Sequence, residues 1–438
     1  MNESPPPPPY AGRGDRSPLR PSRRAVLTAV TAASALPLLS AVPSAAAPGS
    51  RGHDLLYIGT WGQNQVHAVR FDPVGGTMTP LGRVAEISSS WVAVHPHRPV
   101  LYVAGAEQGG FIRSFRIDDS TGAVRQTGEI ETEPAPTGSG GLSYIAPTAD
   151  AGALLVADFA AGSAVTVSLT GDGGLGAVAS SVQDAGSGPD PRQAGPHPHH
   201  VVIDPSGRFA LVVDFGADRA FVYDYDRAAH QLSAGSAGPG SFATAPGSGP
   251  RRLAFHPDGR TVYLLSELTA ELQVLDWDVR HGMLTSRQLL TTNAPDHTGS
   301  TSAAELVIAR DGGYVYTSNR GDNALVVFSA ARRTGLLTEV QRVPCGGVTP
   351  WSMCLHSSGR WLFVANEASS TVNLFRVHPR SGRLTDTGRS VAVPNPASIS
   401  VRHPDVGAAG SPTSDHRTPP AAASHPAAPA DLLLGFRG

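Results

Sequence analysis

Apolar residues along this chain come in blocks of four to eight that alternate with polar ones or run unbroken, and no long helical period is present. The blocks recur in pairs around a tight turn. They read VAVHPHRPVLYVAGA from Val92, VVIDPSGRFALVVDF from Val201, LAFHPDGRTVYLLSE from Leu253, LVIARDGGYVYTSNR from Leu306 and MCLHSSGRWLFVANE from Met353. Each predicts a strand, a turn and a second strand. Many copies continue into an alternating strand and a Gly-rich turn, as in GFIRSFRIDDSTGAV from Gly110 and STVNLFRVHPRSGRLT from Ser370. Four short strands in a repeat of about fifty residues make the blade of a β-propeller.

The turns at Pro96, Pro205, Pro257, Asp311 and Ser358, with a degenerate copy near Asp150, are spaced by roughly 47 to 57 residues. DLLYIGTWGQNQVHAVRF at the start and VPNPASISV at the end supply about one blade more. The expected fold is therefore all-β, a seven-bladed propeller of four-stranded antiparallel blades over residues 54–402, its last blade closed by both termini. Closure of that kind pairs edge strands that would otherwise be exposed, without a disulfide.

Composition narrows the chemistry. There is no lysine among the 438 residues, which excludes a lysine Schiff base and a P-loop lysine. Residues 1–47 hold five Arg and two acids, so the remainder carries 29 basic against 34 acidic residues and offers no clustered positive charge for nucleic acid. Arg23 and Arg24 before a weakly apolar run to Ala41, then PSAAAP, have the layout of a twin-arginine export signal within a disordered extension. That run is interrupted by Thr, Ser and Pro37 and is too short for a stable membrane span. Residues 403–438, rich in Ala and Pro, read as a disordered tail. Cys345 and Cys354 are expected as free buried thiols, and no metal-site motif or cofactor signature is present.

Charge gathers where the inner strands begin. GSGPDPRQAGPHPHHVVIDPSGR, from Gly186, brings Arg192, His197, His199 and His200 to one inner strand, and a histidine there is suited to act as general base. Later repeats place Arg251 and Arg252, then Glu305, at equivalent starts, with Glu267 and Arg320 just after the following strands. Unpaired buried charge is costly. Repetition at one end of successive blades therefore predicts a polar pocket on one face, against the alternative of interblade ion pairs.

The segments GPHPHH, GADR, GPRRLAFHPDGR, SAAEL and SNRGDN resemble those of the seven-bladed lactonase family, which includes propeller-type 6-phosphogluconolactonases and fungal carboxymuconate-lactonising enzymes. The resemblance spans Leu55 to Val401 and implies a cyclic ester substrate and no obligatory metal. It implies a site of His199, Arg251, Glu267, Glu305 and Arg320. Departures are Arg252 in place of His, Ser266 in place of Asn, His200 in place of Ser, Trp351 in place of Arg, and a second blade opening GSGGLSYI without the usual His. The expected protein is an exported, monomeric hydrolase opening a lactone other than a phosphorylated sugar lactone. In that reading His199, Glu305, Glu267 and Arg251 act in catalysis, while His197, Arg192 and Arg320 bind the lactone or carboxylate. A muconate-type lactonising enzyme and a non-catalytic binding propeller are the alternatives.

Overall fold

The computed structural model describes residues 52–105, 110–132, 141–235 and 240–404; the expected export signal, and the expected tail beyond Pro404, lie outside them. The described residues form seven antiparallel sheets in sequence order around an axis. Blade 1 combines 54–86 with 396–402; blades 2 to 7 span 91–131, 142–183, 198–243, 250–291, 303–344 and 350–392. GSGGLSYI thus leads into the third blade rather than the second, because Trp91–Val94 is already the inner strand of blade 2. Blade 4 alone divides its outer edge, with Gln231–Ser233 and Gly240–Ala243 both pairing Arg219–Asp226.

The core is a ring rather than a ball. Seven apolar clusters each draw on two adjacent blades: Leu211, Val213, Val262 and Leu264 join blades 4 and 5, and Phe71, Phe363 and Leu374 join blades 1 and 7. No blade buries its faces alone, so each depends on its neighbours. Tyrosines near the middle of second strands add a repeated bond across the gap. Tyr57, Tyr102 and Tyr263 donate to the carbonyls of Gly122, Gly173 and Gly335 in the next blade.

The ring closes where Pro396–Arg402 pairs antiparallel with Asp54–Thr60. A buried clasp sits at this seam: Asp54 accepts His356 Nε2 at 2.8 Å and His403 Nδ1 at 2.7 Å. His356 Nδ1 accepts the Ser358 amide at 3.1 Å, which leaves Nε2 as the protonated nitrogen. These ligand-type atoms lie within 4.8 Å of one another, yet hydrogen bonds already use them. His403, where the tail was expected to begin, is tied to the first strand. Cys345 is buried, Cys354 is part-buried, and both are free.

Candidate active site

One irregularity recurs where inner strands begin. Pairing skips a residue between Pro198 and His200, Pro250 and Arg252, Pro350 and Ser352, and Leu142 and Tyr144. A β-bulge leaves its extra residue unpaired and re-aims the side chain. The four extra residues are His199, Arg251, Trp351 and Ser143, and all four line one cavity of about 460 Å³. A second series comes from the residue just after the second strand of a blade: Trp61, Phe159, Phe215, Glu267 and Arg320 line the same cavity. Two backbone positions, repeated from blade to blade, therefore supply most of the lining while their side chains differ.

Loops are drawn into place by Asp218 of the GADR segment. Its carboxylate accepts the Gly249 and Gly247 amides and the Gln193 side chain, joining the loop that carries Arg192 to the one before Arg251. Gly249 has φ +59, and a Cβ there would lie 2.8 Å from Phe215 and Leu268, so the turn into the strand requires glycine.

Electrostatically the site is a carboxylate held by three guanidiniums. Glu267 meets Arg320 at 2.7 Å, Arg251 at 3.0 Å and Arg192 at 3.3 Å. Burial alone would raise the Glu267 pKa, but Arg320, Arg251 and Arg192 outweigh it and hold it below its usual range. Arg251 is only 1 % exposed. Burial, and then the like charge of Arg320, lower its pKa, yet a guanidinium remains charged at any ordinary pH. Outside the cavity Asp190 shares Arg192 at 3.2 Å. The lining keeps an excess of positive charge.

The histidines face this charge differently. His199 is part-buried, and its pKa is held well below the usual value by desolvation first, then by Arg251, Arg252 and Arg320; its Nδ1 has no hydrogen-bond partner among the described residues. It is neutral at physiological pH. His197 stacks on Phe159 with ring centres 4.4 Å apart, and its Nδ1 meets the Phe159 carbonyl at 2.8 Å. That bond makes Nδ1 the donor and leaves Nε2 an acceptor.

Of the residues expected from sequence, Arg192, His197, His199, Arg251, Glu267 and Arg320 share the cavity. Glu305 does not line it. It follows Ala304 as Arg252 follows Arg251, and this next residue along each strand points below the cavity into the channel. There Glu305 binds Arg252 at 2.9 Å, Ser352 donates to it at 3.3 Å, and Arg252 lies over Trp91 and Tyr144. Glu305 thus has the ion-pair role that was the alternative to a pocket role. His200 is also in this lower tier, its ring tilted by 58° against Tyr144 with centres 4.3 Å apart. The aromatic wall of Trp61, Trp91, Phe159 and Phe215 was missed. Aligning the residue after each second strand would have found three of the four.

A family model described as "Lactonase, 7-bladed beta-propeller" matches residues 55–401. The chain is 26 % identical over 353 residues to a Bacillus subtilis protein named 6-phosphogluconolactonase, covering 79 % of this chain and 98 % of that one. It is likewise 26 % identical over 356 residues to a Serratia proteamaculans protein of the same name, with the same coverage. Among solved structures, the Pseudomonas aeruginosa periplasmic gluconolactonase superposes with a TM-score of 0.73 at 28 % identity, over 80 % of this chain and 99 % of the other.

Proposed function

The chain belongs to the seven-bladed β-propeller lactonase family, and from that premise we propose that it hydrolyses a lactone in the cavity at the channel mouth. The observation that carries this reading is a histidine kept neutral beside a cluster of guanidiniums. Neutral His199 takes a proton from water as the water oxygen adds to the lactone carbonyl carbon. Arg251 stabilises the oxyanion that forms. The ring C–O bond then breaks, the departing oxygen takes the proton from His199, and a hydroxy acid results, its carboxyl proton passing to solvent. Arg192 and His197 orient the substrate. Both Glu267 oxygens are occupied by arginines, so Glu267 positions those cations rather than accepting a proton.

A bound anion strengthens the base. It offsets the charges that lower the His199 pKa, so His199 becomes more basic when the site fills. Ring opening followed by proton release in a pH-stat is expected to fall about 10²–10⁴-fold in His199→Ala; an unaltered rate would remove His199 from the chemistry. The bare Nε2 of His197 favours a second assignment, in which His197 is the base. A large loss of kcat in His197→Ala, with His199→Ala near the parent, would exchange the two roles.

Export belongs to the same proposal. It is supported by Arg23 and Arg24 before a weakly apolar run and by likeness to a protein named as periplasmic. A substrate other than a phosphorylated sugar lactone fits an exported enzyme, because such phosphates are made and kept inside cells. Replacing Arg23 and Arg24 with Gln should retain the protein in the cytoplasm, and continued secretion would count against a twin-arginine route.

A further inference from the structure

The cavity is divided by blade. Its charged side chains come from the loop before blade 4 and from blades 5 and 6: Arg192, Arg251, Glu267 and Arg320. The arc from blade 7 through blades 1 to 4 presents mainly rings, those of Trp351, Trp61, Trp91, Phe159 and Phe215, with His197 and His199 at its blade 4 end. Hydroxyls on the aromatic arc are already spent. Ser90 donates to the Leu142 carbonyl, and Ser143 donates to the Pro198 carbonyl at 2.9 Å. A polyol laid against these rings would leave the hydroxyls that face them without hydrogen-bond partners, which is costly in a desolvated site. An aromatic face would stack there at no such cost.

Trp351 stands where the two arcs meet. Its ring lies 4.6 Å from the Arg320 guanidinium carbon and is stacked with the Trp61 ring, with centres 5.8 Å apart and planes 26° from parallel. It therefore fixes the plane of a cation and extends the apolar wall to the rim, where Trp61 is 41 % exposed. A cavity of about 460 Å³ lies within the range that encloses drug-sized ligands, larger than one lactone ring needs.

We infer that the site selects a lactone fused to an aromatic ring and carrying a carboxylate, with the ring against the Trp61–Trp351 arc and the carboxylate on Arg192 and Arg320. Trp351 is the specificity-determining residue. The inference rests on the lactonase reading for its chemistry, but its recognition element is separable. Four probes distinguish them with the full chain: dihydrocoumarin-6-carboxylate, unsubstituted dihydrocoumarin, δ-gluconolactone and δ-gluconolactone 6-phosphate.

The expected order of kcat/KM places the carboxylated aryl lactone at least about tenfold above each of the others. Trp351→Arg and Trp61→Ala should each lower the aryl-to-sugar ratio about tenfold, while Trp351→Phe retains it; Trp61 lies in a surface turn, so its variant should fold normally. A parent enzyme that opens either sugar lactone as fast as the aryl carboxylate overturns the inference and leaves hydrolysis intact. If no lactone opens, hydrolysis fails, and tryptophan fluorescence decides recognition. Saturable quenching by dihydrocoumarin-6-carboxylate, lost in Trp351→Arg, would uphold it, and an absence of quenching would end it.

Discussion

Arg251 and Arg252 are neighbours with different tasks. The bulge turns Arg251 to Glu267 and the cavity, while Arg252 points away from it to Glu305. Arg251→Ala should lower kcat/KM about 10²–10³-fold through loss of oxyanion stabilisation, read from the same pH-stat assay. Glu267→Gln acts through stability. It removes the charge that compensates a buried guanidinium, and breaking such a pair costs roughly 3–5 kcal/mol; thermal unfolding should fall clearly, and an unchanged Tm would show that the arginines do not need it. The depressed His199 pKa sets the acid limb. Because the base stays unprotonated below its ordinary value, kcat/KM should hold level as pH falls through about 6.5 and decline only in stronger acid. A half-maximal point at or above 6.5 would contradict this.

The blade repeat explains what could be read at the level of strands. Alternation, turns and spacing are local, so strand pairs and blade number followed from the chain. His199, Arg251 and their companions were legible because they break that repeat with charge. Glu305 was misplaced for a reason no spacing reveals. A one-residue bulge sends successive side chains to opposite tiers, so a site residue and a channel residue adjoin in sequence. Behind the site, blades 3 and 4 share another device. Asp184 and Asp214 are buried against each other, and Tyr223 donates to Asp184 at 2.5 Å. Burial, then the Asp214 charge, push the Asp184 pKa up to about 9. The folded protein therefore keeps a proton that the unfolded chain releases, and stability falls as pH rises from about 4 to about 9. Asn at 184 can donate to Asp214 and accept from Tyr223 with no proton to lose. Asp184→Asn should flatten the alkaline decline in Tm and exceed the parent at pH 8; a variant that follows the parent's pH curve would refute the shared proton. Since Asp214 also accepts the His197 amide at 2.8 Å, this pair anchors the start of the His199 strand.

At the scale of the whole molecule, the ring is held at one seam by a strand from each end of the described chain and by the Asp54 clasp. Burial would raise the Asp54 pKa, but hydrogen bonds from His356 and His403 more than offset that and lower it. A carboxylate with a depressed pKa contributes stability that is present above its unfolded value and lost as pH falls through its folded one. Asp54→Asn keeps an acceptor for one histidine but sets an amide N–H₂ against the N–H of the other, and should cost about 1–3 kcal/mol at neutral pH, seen as a lower Tm. The gap to the parent should close only in acid below the ordinary carboxylate range. An equal Tm at pH 7 would mean that strand pairing alone closes the ring.

By itself the sequence determined the elements, their number and the charged residues that interrupt their repeat, because each depends on pattern within about fifty residues. Tertiary structure decided which side chains meet. The cavity draws between one and four residues from each of the seven blades or the loops beside them, many placed by bulges and strand ends whose pairing partners lie on a different strand. Its aromatic arc looks like ordinary core until Trp61, Trp351 and their companions converge at the axis, and closure alone brings them there.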